Sequence, residues 1–290
     1  MKSRPRIVSL CPSNTELVHA LELLDCLVGV DNYSDYPSEV TRQLPKLGPD
    51  LNIDMEMVSA LKPDLVLASL SVPGMEKVVD AVAASGLPYL VLSPHNLSEI
   101  YQDLTSVSDW LEDPVQRRRT ERLIQSLKDR VERVQSTTQS LAERPTLYWE
   151  WWPSPVFSPA KENWLTEISH LAGAVNLFAS EPGSQVQDDG HRVISGNPDY
   201  FFAVWTGVPQ DKVPIHKLIH RPGWDKITAL AKNKVYILSE GLYCRPSPRL
   251  IDGLEQLTSL IHPEMASVLA LRKLTDYAPV RDITGANLLL

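Results

Sequence analysis

Pro63-Asp64-Leu65-Val66-Leu67-Ala68 recurs 135 positions later as Pro198-Asp199-Tyr200-Phe201-Phe202-Ala203. The register runs on without a gap and sets Glu76-Lys77-Val78 on Asp211-Lys212-Val213. Each copy reads as a short apolar strand of the kind buried on both faces of a parallel sheet. A loop with Gly and Pro follows, then an acidic residue at a helix start. A chain that repeats such a unit is constrained to two α/β halves of similar build. Ligands of such folds bind beyond the carboxyl ends of the strands, so loops from both halves are expected around one cleft.

The rest of the chain fits that frame. Arg6 to Leu10 reads as a strand broken by Pro12-Ser13-Asn14. A helix is expected over Thr15 to Leu24, with Ser13 or Asn14 as its cap and Glu16 complementing its dipole. Further strands are expected at Leu27 to Val30, Pro63 to Ala68 and Tyr89 to Leu92, with helices at Met55 to Leu61 and Glu76 to Ala84. The alternation then stops. From Asp113-Pro114 to Glu143 there is no internal Gly or Pro, and Leu123, Ile124, Leu127, Val131, Val134 and Leu141 recur three or four apart among charged residues. Asp113 as N-cap and Pro114 at the first helical position open a helix of about 30 residues, about 45 Å long at 1.5 Å per residue. The expected organisation is an α/β lobe over 1–112, a linking backbone helix over 113–144, a second α/β lobe over 145–264, and an unassigned extension over 265–290. The fold class is two Rossmann-like lobes with mostly parallel sheets, joined by one long α-helix, with the ligand cleft between them.

Charge and composition exclude several roles. A net charge of −8 argues against nucleic acid as a partner. No apolar run reaches the length needed to insert in a membrane. Met1 to Arg6 is basic, as an export signal begins, but Ile7 to Cys11 is cut off by Pro12, short of the roughly 7–15 apolar residues a signal needs. The chain as written therefore reads as cytoplasmic, or as a mature protein that has lost its signal and works in the periplasm or outside the cell. Cys11, Cys26 and Cys244 match no metal motif and leave one cysteine over in any disulfide scheme. His216 and His220 are four apart, but no carboxylate motif accompanies them, so no metal is assigned. No nucleophile elbow, phosphate loop or dinucleotide fingerprint is present, so no catalytic residue is assigned and the protein reads as a binder, not an enzyme.

Six of the seven tryptophans lie between positions 149 and 224. Tyr148-Trp149-Glu150-Trp151-Trp152-Pro153 is a strand running into a loop, Trp205 follows the second Pro-Asp strand, and Tyr243-Cys244-Arg245-Pro246 follows the strand Val235 to Leu238. Large rings at strand ends suit a flat, partly apolar ligand. Trp149 and Trp164 are expected in the core, whereas Trp152, Trp205 and Tyr243 divide between core and cleft. Glu150 either bonds a ligand or caps a backbone group. In the first half Tyr33, Asp35 and Tyr36 occupy one strand-end loop, and Leu51-Asn52 and Ser69-Leu70 two others.

Three stretches carry a resemblance: Arg6 to Glu16, Val28-Gly29-Val30 with Tyr33 to Pro37, and Leu61 to Val66. They resemble the helical-backbone (class III) substrate-binding proteins of ABC importers, which take siderophores, haem and cobalamin. Within that family the likeness is to the vitamin B12 (cobalamin)-binding receptors, and Glu150 to Pro153, Arg221 to Trp224 and Cys244 to Arg249 are similar to the cobalamin-binding subgroup. The resemblance covers about residues 4–263. It implies a corrinoid ligand, no required cofactor and an ABC permease as partner. The contacts it implies are Tyr33, Tyr36, Leu51, Leu70, Trp151, Trp152, Trp205, Tyr243, Cys244 and Arg245. Glu150 joins them as a candidate from its place between the tryptophans. The chain departs from the receptors at Leu70, where they carry a tryptophan. Glu76 matches one of the acidic residues that engage the permease, and the repeat points to Asp211 as its counterpart. A haem or ferric-siderophore binder of the same fold, and a cytoplasmic corrinoid-handling or sensing protein or enzyme, stay open as alternatives.

Overall fold

The computed structural model describes residues 4–288 and divides into two compact units. One takes in residues up to Leu127 together with Pro246–Pro248; the other takes in Lys128–Arg245 and the residues from Arg249 onward.

The first unit is built on four parallel strands, β1 (Ile7–Ser9), β2 (Leu27–Val30), β3 (Leu65–Ser69) and β4 (Tyr89–Leu92), in the order β2-β1-β3-β4. Every residue of β3 is buried, as a central strand covered on both faces requires. Its core gathers Val8, Val58, Val66, Val78 and Val82 from strands and helices and Leu10 and Leu47 from connecting segments. The first helix is Pro12–Ala20, starting earlier than the sequence suggests. Pro12 opens it instead of merely breaking the strand, because a missing N–H costs nothing in the first turn. Cys11 is its N-cap. Asn14 donates to Leu67 O and Ala68 O of β3, and buried Glu16 accepts from Ser247 Oγ at 2.6 Å, so neither acts as a cap or a solvent-side dipole partner. A helix absent from the sequence reading, Leu97–Trp110, begins with a capping box. Asn96 accepts from Glu99 N, while Glu99 accepts from Asn96 Nδ2 and His95 N.

The second unit contains β5 (Thr146–Glu150), β6 (Trp152–Pro153), β7 (Val156–Pro159), β8 (Val175–Asn176), β9 (Gln185–Asp188), β10 (Tyr200–Ala203), β11 (Val235–Ile237) and β12 (Arg281–Asp282). Its main sheet runs β12-β11-β10-β5-β8, parallel except for β12, while β6, β7 and β9 form a small antiparallel sheet. Apart from β12, the order of the four parallel strands repeats that of the first unit: second, first, third, fourth.

The Pro-Asp repeat has one physical job in both. Asp64 N donates to Arg6 O and Asp64 Oδ2 accepts from Arg6 N, both at 2.8 Å. Asp199 N donates to Thr146 O and Asp199 Oδ2 accepts from Thr146 N, both at 2.9 Å. The aspartate side chain thus closes the ladder at the foot of the central strand pair. The repeat weakens beyond the strand: Glu76 opens the helix Glu76–Ala84, whereas Asp211 lies in a single 3₁₀ turn, Gln210–Lys212.

The long helix is Pro114–Thr138, with Asp113 Oδ1 accepting from Val115 N as expected of its cap. It stops five residues short of the Glu143 expected from sequence. Thr138 Oγ1 donates to Leu171 O at 2.7 Å and anchors the helix end within the second unit. Residues 263–288 also belong to that unit. Gln256 Nε2 donates to Leu274 O and Ala278 O, Arg130 and Arg272 share Asp252, and β12 adds an antiparallel edge to β11.

Candidate functional site

In the second unit the carboxyl ends of β5 and β10 are tied together by Glu150. Its side chain is fully buried and receives four donors: Tyr148 Oη at 2.6 Å, Trp205 Nε1 at 3.0 Å, and Arg221 Nη1 and Nη2 at 2.5 and 2.7 Å. A buried carboxylate persists only when its lone pairs are filled in this way. Arg221 lies over the Trp224 ring at 4.3 Å, and Gly223, at φ +79°, makes the turn between them that a side chain would strain. Burial works against the Arg221 charge, but the bidentate bond to Glu150 outweighs it and raises the guanidinium pKa. Burial, then the Glu150 charge, pushes the Tyr148 phenol well above its usual value.

Above this pair stands an aromatic shelf. β6 pairs with β7, which puts Trp152 opposite Phe157, and Trp151 N donates to Phe157 O. Trp152 is 43% exposed, and its ring packs against Trp205, itself only 5% exposed, at a centroid distance of 6.0 Å and 47°. Trp151 lies 6.4 Å from Trp164, and its Nε1 is buried with no hydrogen-bond partner among the described residues. Trp149 and Trp164 are core residues, bonded to Ser169 Oγ and Tyr243 O.

Two of the expected contact residues are turned inward and fully buried. Glu150 is saturated by its four donors and has no face toward a ligand. Tyr243 is fully buried, its hydroxyl donating to Gln256 Oε1 at 2.8 Å and to Gly253 O, because the chain turns into the helix Glu240–Tyr243 after β11 and folds the ring inward. Cys244 is half-buried and its Sγ donates to Val204 O. Burial, then the charge of Glu240, pushes the thiol far up, so it stays protonated. Arg245 is nearly buried.

The first unit offers a different strand-end surface. Tyr33, Leu51 and Leu70 are 54, 46 and 38% exposed, unusual for large apolar side chains, and Leu51 lies beside Gly74 in the loop after β3. The loop beneath Tyr33 is held by Asp31, which accepts from Tyr33 N, Ser34 N and Ser34 Oγ. Ser34 Oγ in turn bonds Thr15 Oγ1. Burial raises the Asp31 pKa, with these hydrogen bonds opposing it. Tyr36 is half-buried, edge-on to His19 at 5.2 Å. Glu76 and Asp211 are both exposed, Glu76 accepting from Gly74 N and Asp211 pairing with Lys212. Among the described residues no group of three or more His, Cys, Asp or Glu is placed to hold a metal ion, and no helix is long and apolar enough to cross a membrane.

Sequence reasoning missed Arg221 as the partner of Glu150. Both lie in segments singled out by resemblance, and a lone buried acid beside tryptophans asks for such a cation.

Comparison with known proteins places these features in a family. A family model described as periplasmic binding protein matches residues 7–241. The uncharacterized ABC transporter substrate-binding lipoprotein YvrC of Bacillus subtilis is 32% identical over 270 residues, 91% of this chain and 82% of that protein. A vitamin B12-binding protein of Vibrio parahaemolyticus is 26% identical over 250 residues, 86% of each chain. Among solved structures, the periplasmic heme-binding protein RhuT from Roseiflexus superposes with a TM-score of 0.77 at 22% identity, covering 90% of this chain and 99% of that one, which shows a shared fold.

Proposed function

The chain belongs to the periplasmic binding protein family and is a substrate-binding protein of an ABC importer, and on that premise we propose that its ligand is cobalamin or a related corrinoid. Members of this family bind and deliver solutes; they are not enzymes and carry no resident cofactor. The observation that carries the reading is the shelf of Trp152 on Trp205 at the carboxyl ends of β5 and β10. A corrin is broad and flat, and a ring of this size gives it a large contact at small entropic cost. The vitamin B12-binding relative supports the same choice.

The proposed contacts are Trp151, Trp152, Cys244 and Arg245 in the second unit, with Trp205 backing Trp152, and Tyr33, Tyr36, Leu51 and Leu70 in the first. Thermal-shift and calorimetric titration against cyanocobalamin, cobinamide, haem and a ferric hydroxamate tests the ligand. Corrinoid binding at micromolar Kd or tighter is expected; a response to haem or the hydroxamate alone overturns the choice of ligand and leaves the family unaffected.

Glu76 and Asp211 are proposed to meet cationic side chains of the permease, and the protein to act outside the cytoplasmic membrane. Glu76→Lys with Asp211→Lys is expected to abolish corrinoid uptake in cells while leaving the Kd of the purified protein unchanged; retained uptake contradicts the assignment. Fractionation of cells producing the native gene product tests the location.

A further inference from the structure

We infer that Glu150 is a positioning residue for ligand binding: the Glu150–Arg221 ion pair fixes the Trp205 indole and, through it, the orientation of the exposed Trp152 ring. This rests on the proposed role of that shelf. Glu150 lies at the last position of β5, and its donors come from separate parts of the unit. Tyr148 is two residues back on the same strand, Trp205 follows β10, and Arg221 follows the helix Ile215–Ile219. The bond from Trp205 Nε1 is to a charged acceptor, stronger and more directional than one to a neutral group. It selects one rotation of a ring that is otherwise held by apolar packing alone, against neighbours such as Trp152.

Two separate sequence segments meet at this junction. Glu150-Trp151-Trp152-Pro153 carries the carboxylate and the exposed ring. Arg221-Pro222-Gly223-Trp224 carries the fork that neutralises the carboxylate and the ring on which the fork rests, with the guanidinium 4.3 Å from Trp224 and 5.8 Å from Phe201. The backbone reinforces the same junction, since Val204 N donates to Glu150 O and Thr206 N to Trp151 O. Trp205 has little surface of its own to offer a ligand, so its effect on affinity passes through Trp152.

The test is a double-mutant cycle of Glu150→Gln and Trp205→Phe, read by cyanocobalamin Kd, by the near-ultraviolet circular dichroism of the tryptophan pair and by thermal unfolding. Trp152→Phe identifies the pair's dichroic signal. Glu150→Gln is expected to change that signal in the free protein and to raise Kd at least tenfold. Trp205→Phe, which removes the indole N–H and keeps the ion pair, is expected to raise Kd similarly, and the double variant to be no worse than either single one. If Glu150→Gln lowers the unfolding temperature yet leaves both signal and Kd unchanged, or if the two losses multiply, the inference is overturned. Should Glu150→Gln fail to fold, Trp205→Phe decides alone: an unchanged Kd overturns the inference. If the wild-type protein binds no corrinoid, the choice of ligand fails, and the dichroic signal still decides whether Glu150 sets the ring.

Discussion

The two units share a strand order and an Asp-closed ladder, yet their strand-end surfaces are made in different ways. In the first, Tyr33, Leu51 and Leu70 project from loops, and that of Tyr33 is fastened by the hydroxyls of Ser34 and Thr15 and by buried Asp31. In the second, position 205, the repeat partner of Leu70, is a tryptophan anchored to a buried ion pair. A duplicated scaffold keeps what builds the sheet and diverges where the loops leave it. In the second unit the aromatic pair thus stands on a buried ion pair, and no tryptophan occupies the matching position of the first.

The largest effect is expected of Arg221→Met. It strands the Glu150 carboxylate in the core, and urea unfolding should show a loss of about 3–5 kcal/mol. Next, Trp152→Ala should leave stability almost unchanged, because the ring is exposed, and weaken corrinoid binding about tenfold to a hundredfold, equivalent to ~1.5–3 kcal/mol. Leu70→Ala should cost affinity less; if it costs more, the first unit carries the ligand.

A smaller effect is specific to the first unit. Burial, then the neighbouring charge of Glu99, pushes the Asp103 carboxyl up to about 7. Its folded-state pKa therefore lies above its unfolded value, so it favours folding while protonated. That contribution is present below about pH 4 and is lost as pH rises through about 7. Asp103→Asn should thus gain about 1 kcal/mol over the wild type at pH 8 and little at pH 4, allowing for partial exposure. Smallest, Asp64→Ala and Asp199→Ala should each cost about 1 kcal/mol, read by denaturant midpoints. A large cost at one site alone would mean that the repeat is a likeness of sequence and not of function.

Much of the scaffold was legible because local rules decide it. The helix Glu76–Ala84 and the strand Tyr89–Leu92 coincide with their sequence patterns, and Asp113-Pro114 opens the long helix as expected. The end of that helix was not legible, because Thr138 anchors to Leu171 from a distant helix and no local breaker precedes Pro145. The helix Leu97–Trp110 was missed although Asn96 and Glu99 announce it. At the candidate site, aromatic composition pointed to strand-end loops but could not sort inward from outward rings. Tyr243 turned in because its hydroxyl finds Gln256, and Glu150 did so because Arg221, 71 positions away, neutralises it. Pairings at that separation leave no periodic mark in the chain.

Isothermal titration of the purified protein with cyanocobalamin, beside Trp152→Ala, decides whether the Trp152 shelf binds a corrinoid. One site per chain at micromolar Kd or tighter is expected in the wild type, and at least tenfold weaker binding in the variant. Absence of heat with both cyanocobalamin and cobinamide, or equal affinity in the two proteins, would contradict it.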